Sequence, residues 1–332
     1  MVPSELAGMH DYRAPVWLPG GNLQSIWAGR LTPVPRALAG GYRRERWDTP
    51  DGDFVDVDLL PGTPGRPWLV LFHGLEGDSR SHYALAFAEA AQRRGWSYAV
   101  PHFRGCSGEL NRGPRAYHSG DFEEIGWMLQ RLRARAGRPL LAVGISLGGN
   151  ALLRWAQEAG ETAAATVAAV AAVSSPIDLA AAGRAIGRGF NRLAYTRMFL
   201  ATMKPKALAK WAQHPGLFDR ERLRAARTLY EFDDVFTAPL HGFAGTLDYW
   251  ARASAKPHLR RIRVPALVLN ARNDPFVPAG SLPRTAEVGR FVTLWQPAHG
   301  GHAGFPAGRF PGHLRTLPER VMAWLAEHGA AA

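Results

Sequence analysis

The sequence predicts an α/β fold, built on a mostly parallel, doubly wound sheet with a helical cap insertion. Three observations predict it. Apolar runs of strand length alternate with longer stretches of helical periodicity. Most of those runs are continuously apolar, as strands covered on both faces require. The alternation breaks once, between residues 176 and 257, and then resumes. In such sheets the loops at the carboxyl ends of the strands carry the chemistry.

The elements follow in order. Residues 1–40 are rich in Pro and Gly and contain Trp17-Leu18-Pro19-Gly20-Gly21-Asn22-Leu23-Gln24-Ser25-Ile26-Trp27, which reads as an arm packed on the domain. Arg46-Trp47-Asp48-Thr49, the turn signal Asp51-Gly52 and Phe54-Val55-Asp56-Val57-Asp58-Leu59 read as an antiparallel hairpin at a sheet edge. Trp68-Leu69-Val70-Leu71-Phe72 is a central strand ending in His73-Gly74-Leu75-Glu76-Gly77-Asp78, with a helix expected over 81–94. Residues 96–101 form the next strand, ending in Phe103-Arg104-Gly105-Cys106-Ser107-Gly108; Ser119 is placed as the cap of a helix reaching about residue 135. Residues 140–145 lead into Gly144-Ile145-Ser146-Leu147-Gly148 and a helix. Residues 167–174 read as a strand, although their alanines would also suit a helix. The interval 176–257 is helical, irregular and arginine-rich, and a cap over the strand ends is its natural place. The core, 41–175 and 258–332, then resumes with strands at 264–270 and 291–295 and a final helix over about 315–327.

Composition narrows the function. A chain of 332 residues with 46% apolar content can bury a sizeable core. The net charge of +12 comes from arginine, since Lys204, Lys206, Lys210 and Lys256 are the only lysines. A solvated, arginine-biased surface accounts for it; transient contact with an anionic membrane surface is the sharper reading. The arginines are scattered and no zinc-ligand spacing or RNA-binding signature accompanies them, so no nucleic-acid partner is expected. Cys106 stands alone, which excludes an intrachain disulfide and suits a reducing compartment. Residues 1–13 lack the pattern of a signal peptide, and the run 163–173 is too short to span a bilayer. The expectation is a cytoplasmic protein.

The stretch around Ser146 carries the chemistry. A strand, a tight Gly-x-Ser-x-Gly turn and a helix lift a serine hydroxyl clear of the sheet. Gly144 and Gly148 are needed where a side chain would strike the neighbouring strand or helix. A serine hydroxyl is a poor nucleophile without a base, and the base needs a carboxylate to fix its tautomer. In this topology the partners follow in the order Ser, acid, His. Asp274 and His302 fit, each just after a strand, with room between them for one helix and one strand. Asp274 also suits a turn before Pro275, and Asp233, Asp234 and Asp248 compete on composition but fall in the cap. His299 competes with His302, which the flanking glycines favour. The two histidines as a metal pair lack further ligands nearby, so no metal is expected. Leu147 N–H at the helix start and Leu75 N–H beside Gly74 are the expected oxyanion donors. His73 reads as a structural hydrogen-bonding residue, and Cys106 as a small buried residue without a local basic partner.

These residues resemble the α/β-hydrolase superfamily, and within it the YheT-like branch, which is related to the mammalian abhydrolase-domain lipases and phospholipases. The general resemblance lies in His73-Gly74, Gly144-x-Ser146-x-Gly148, Asp274 and His302. The branch resemblance lies in Leu71-Phe72-His73-Gly74-Leu75-Glu76-Gly77, Phe103-Arg104-Gly105-Cys106-Ser107-Gly108 and Glu231-Phe232-Asp233-Asp234. Asn273-Asp274-Pro275-Phe276, Gly300-Gly301-His302-Ala303-Gly304-Phe305 and Gly20-Gly21-Asn22-Leu23-Gln24-Ser25-Ile26 add to it. The family tends to carry His and Thr where this chain has Asn22 and Ser25, changes expected not to touch the chemistry. The resemblance implies hydrolysis of short-chain or lipid-type carboxylic esters through an acyl-enzyme intermediate, without a cofactor. A lysophospholipase, monoacylglycerol lipase or amidase using the same triad, and a non-catalytic binding protein of the same fold, stay open.

Overall fold

The computed structural model of the chain describes residues 12–32 and 41–329. The arm expected over 1–40 therefore falls partly outside the described residues, as do residues 1–11 of the stretch tested for a signal peptide.

Eight strands form one sheet in the order β1-β2-β4-β3-β5-β6-β7-β8. They are β1 (Arg43–Asp48), β2 (Phe54–Leu60), β3 (Trp68–Phe72), β4 (Ser97–Pro101), β5 (Leu140–Ile145), β6 (Val167–Val173), β7 (Ala266–Leu269) and β8 (Val292–Trp295). β1 and β2 pair antiparallel, and β2 joins β4 antiparallel; every pair from β4 to β8 is parallel. The hairpin sits at the edge, but β2 is buried throughout rather than half-buried. Its charged residues are paired: Asp58 with Arg44 and His102, and Asp56 with Arg46. That pairing explains why β2 shows only a loose period of two.

Helices cover both faces. Alternate side chains of a strand point to opposite sides, so Leu69 and Leu71 pack under α2 (His82–Arg93) and α8 (Thr316–Gly329). Val70 and Phe72 pack under α3 (Phe122–Ala136) and α4 (Leu147–Ala159). Preceding these is α1 (Gly20–Ile26), and between β6 and β7 the regular structure is helical, joined by turns and loops, and includes α5 (Leu179–Ile186), α6 (Arg197–Gln213) and α7 (Thr246–Ala253). Among the described residues no helix is long and apolar enough to cross a membrane.

Two elements differ from expectation. α3 begins at Phe122 behind Asp121, and Ser119 does not cap it. Ser119 is buried and its hydroxyl and carbonyl accept hydrogen bonds from Asn150 Nδ2 (3.1 and 2.8 Å). No α-helix separates β7 from β8; only the single turns Ala279–Ser281 and Thr285–Glu287 do. Pro275, Pro278 and Pro283 break the backbone ladder there, so the connection stays a tight loop.

Candidate active site

Ser146 occupies the junction of β5 and α4 with φ 53° and ψ −118°. A β-branched residue would be heavily strained there, and a serine holds the geometry only because its surroundings leave no alternative. A Cβ on Gly144 would lie 2.4 Å from the Gly148 oxygen, and one on Gly148 would lie 2.5 Å from the Phe72 and His73 oxygens. Gly149 is as tight, with Ser175 Oγ 1.9 Å from an added Cβ. The elbow is thus packed against the backbone at the end of β3 and against the Ser175 hydroxyl just beyond β6. Asn150 locks the helix behind it, donating to Ala253 O (2.8 Å) and accepting from Ala255 N (3.0 Å).

Ser146, Leu75, Leu147 and His302 line one open cavity between the strand ends and α5, α6 and α7. Its other walls are mainly apolar, including Ile186, Phe199 and Trp250. His302 Nδ1 lies 2.9 Å from Asp274 Oδ2 and 3.1 Å from Oδ1, and the Asp274 side chain is fully buried. The carboxylate thus engages Nδ1 and leaves Nε2 as the ring nitrogen free to serve the cavity. Asp274 Oδ1 also accepts from Phe276 N (2.8 Å), so the residue makes its own turn as well as holding the imidazole. The Phe276 ring covers His302 at 4.2 Å between centroids. Among the described residues no hydrogen bond joins Ser146 Oγ to His302; such contacts commonly tighten only once substrate is bound.

The rivals sit elsewhere. His299 faces Asn273 Nδ2 at 3.4 Å. Asp233 lines the cavity, but its oxygens accept from Thr237 Oγ1 (2.7 Å) and Trp250 Nε1 (2.9 Å), and burial pushes its pKa up to about 6. Asp234 pairs with Arg222, and Asp248 with Arg252. Among the described residues no cluster of three His, Cys, Asp or Glu side chains is placed to hold a metal ion.

The loop after β3 is fixed from several directions. His73 is fully buried, with Nδ1 against Gly74 O (2.8 Å) and Nε2 accepting from Phe103 N (3.1 Å). Those partners define a neutral tautomer, and burial pulls its pKa down to about 3. Gly74 N donates to Tyr83 Oη (2.9 Å), and a Cβ on Gly74 would meet Ser146 Cβ at 3.2 Å. Glu76, at φ 56°, is clamped by Tyr117 and by Lys206 Nζ (2.9 Å). Leu75 N–H lies between these anchors. Cys106 is buried and its thiol pKa is pushed up to about 12 by that burial. A basic neighbour does approach it, Lys206 Nζ at 3.9 Å, from a helix a hundred residues away.

Sequence reasoning missed the brace supplied by α1. Gln24 is 1% exposed and its Oε1 accepts from Asn273 Nδ2 and Gly300 N, both at 3.0 Å. Ser25 Oγ accepts from the backbone N–H of His302 (2.8 Å). The substitution at 25 therefore does touch the loop that carries His302, contrary to expectation. The signal was present in Gln24-Ser25 amid apolar neighbours, but only the three-dimensional closure of the chain gives it partners.

Comparison with known proteins agrees with this fold. A family model described as alpha/beta hydrolase fold matches residues 67–308. YheT of Escherichia coli (strain K12) is 40% identical over 86% of this chain and 84% of its own length. Mus musculus phospholipase ABHD3 is 29% identical over 96% of this chain and 79% of its own. Saccharomyces cerevisiae monoacylglycerol lipase is 27% identical over 79% of this chain and 59% of its own. Among solved structures, an esterase from Thermogutta terrifontis shares the fold with a TM-score of 0.52 at 17% identity, covering 86% of this chain and 99% of that one. A strained serine elbow on a parallel sheet, a matching family model and a relative at this identity together place the chain in the alpha/beta hydrolase fold family, in the branch that includes YheT.

Proposed function

We propose that the chain is a serine hydrolase of carboxylic esters, with Ser146 as nucleophile, His302 as base and Asp274 as the acid that orients it. The observation that carries the reading is a serine at φ 53° facing the same cavity as an imidazole whose Nδ1 is held by a buried carboxylate. In this mechanism His302 Nε2 takes the Ser146 proton as Oγ bonds to the ester carbonyl carbon. The carbonyl oxygen becomes an oxyanion between the Leu75 and Leu147 N–H groups. When it collapses, the C–O bond to the alcohol breaks and His302 returns the proton to the leaving oxygen. Water, deprotonated by His302, then attacks the acyl-enzyme, and the acid leaves as Ser146 recovers its proton. Asp274 stabilises the transient imidazolium throughout.

Substrate class follows from the walls. An open, largely apolar cavity favours an acyl chain over a charged peptide, and relatives named phospholipase and monoacylglycerol lipase point the same way. In this reading residues 176–257 cap a core formed by 41–175 and 258–332, and 1–40 form an arm. The lone Cys106 suits a reducing, cytoplasmic setting.

The test is turnover of p-nitrophenyl esters of short, medium and long acyl chains, together with labelling by a fluorophosphonate. Turnover of the esters, labelling at Ser146 and a loss of more than about 10³-fold in Ser146→Ala are expected. Labelling elsewhere, or full activity in Ser146→Ala, would sink the reading.

A further inference from the structure

The exposed apolar residues of this molecule are not scattered. Of the nine large hydrophobic side chains exposed among the described residues, Val16, Leu23, Leu31, Phe190, Leu193, Met198 and Phe310 come from three short segments, and only Tyr230 and Leu247 do not. Those segments touch one another. Arg30 Nη2 lies 3.2 Å from Met198 Sδ, and Tyr195 Oη donates to Asn22 Oδ1 (3.0 Å). Trp17 meets Phe310 at 5.5 Å between ring centroids. The result is one strip running from the loop at Phe310, across α1 and its flanks, to the start of α6.

The strip adjoins the cavity. Tyr195, packed under Phe190, contacts Phe276 at 4.5 Å between centroids, and Phe276 covers His302. Phe199, one residue beyond Met198, lines the cavity beside Ser146.

The charges within the strip's own segments have one sign. Between Asp178 and Asp219 there is no acidic residue, while Arg184, Arg188, Arg192 and Arg197 occur there; Lys206 is neutralised by Glu76 and Lys210 is buried. Residues 12–44 carry no Asp or Glu, and neither do residues 288–318. Arg188, Arg192 and Arg197 are exposed and interleave with Phe190 (54% exposed) and Leu193 (75% exposed). Apolar side chains alternating with arginine, in segments that carry no carboxylate of their own, are what an interfacial protein presents to an acidic lipid layer. A partner protein of matching acidity would have to supply aliphatic depth as well, whereas an anionic lipid leaflet supplies both, charge from its headgroups and depth from its acyl chains.

We propose that this strip docks on an anionic lipid–water interface and sets the cavity mouth against it, so that ester substrates enter from the lipid phase. The inference deepens the ester-hydrolase reading and rests on it only for the identity of what enters. Binding is therefore measured without turnover. Full-length protein carrying Ser146→Ala is sedimented with vesicles of phosphatidylcholine alone and with phosphatidylglycerol added. Binding about tenfold or more stronger on the anionic vesicles, weakening as salt rises, is expected. Phe190→Asp with Leu193→Asp should lower it about tenfold or more, and Arg188→Gln with Arg192→Gln and Arg197→Gln should erase the preference for anionic lipid. Leu247→Asp, exposed but off the strip, should bind like the parent. Both aspartate substitutions replace exposed residues outside the cavity wall, so hydrolysis of a soluble short ester in the Ser146 background reports whether they fold. No binding by the parent, equal loss in the Leu247 variant, or undiminished binding in the 190/193 variant would overturn the proposal. So would a concentration-dependent dimer in sedimentation velocity that the 190/193 substitutions abolish, because a second copy would then own the strip. Vesicle binding without ester turnover in the wild-type chain would leave the docking surface standing and remove the hydrolase reading.

Discussion

At the scale of single residues, the site depends on side chains whose backbone or protonation state is forced by neighbours. Asp233 is the clearest titration case. Burial raises its pKa from 3.8 to about 6, so the folded chain binds this proton more tightly than the unfolded chain does. The resulting stabilisation is complete below pH 3.8 and is lost as pH rises through 6. Asp233→Asn, which keeps the shape without the charge, should therefore unfold at higher urea than the parent above pH 6, with the gap closing toward pH 4. Urea midpoints at a series of pH values check it; a gap that does not vary with pH would assign the effect to packing. The placement of Ser146, Asp274 and His302 just after strands was legible because apolar runs precede each of them; the roles assigned to them belong to the proposed hydrolase reading. Asp233 was legible only as an acidic residue in a helical interval, since its place in the cavity wall depends on how that interval folds back.

At the scale of elements, the loops carrying Asp274 and His302 are held by α1 as well as by the strands they follow. Ser25→Ala removes the acceptor for His302 N, a change worth roughly 1–2 kcal/mol, and should lower kcat several-fold with KM nearly unchanged. Ser25→Thr should restore it. Equal losses in the two variants would show that the hydroxyl does not position the loop. Gln24→Leu is harsher, because Asn273 Nδ2 and Gly300 N lose their buried acceptor; a loss of about 2–4 kcal/mol in urea unfolding is expected. The strands were readable from their apolar runs, and the edge hairpin from its turn. The start of α3 was not: Ser119 looks like a cap by type, but Asn150, thirty-one residues later, claims it. The missing helix between β7 and β8 has the same lesson, since the available length was read as helix while three prolines spent it on turns.

At the scale of the whole molecule, Arg104 joins parts that the sequence keeps far apart. Its guanidinium meets Asp51 (2.8 Å) and Asp53 (3.1 Å) in the hairpin turn and Glu124 (2.5 Å) on α3. The motif around it was visible as a family resemblance without a role. Arg104→Met would strand buried carboxylates and should cost about 3–5 kcal/mol, read as a lowered urea midpoint with the ester chain-length preference unchanged. A smaller loss would mean that water reaches those carboxylates. The brace made by Gln24 and Ser25 has a different reach, because its partners are synthesised 249 to 277 residues later. During synthesis α1 is made with its buried polar groups unanswered, and they stay so until the segment bearing the imidazole has followed. Under the proposed reading, a chain truncated just before that segment would keep the serine elbow without its imidazole and should not turn over ester, which a truncation series assayed with a short p-nitrophenyl ester checks.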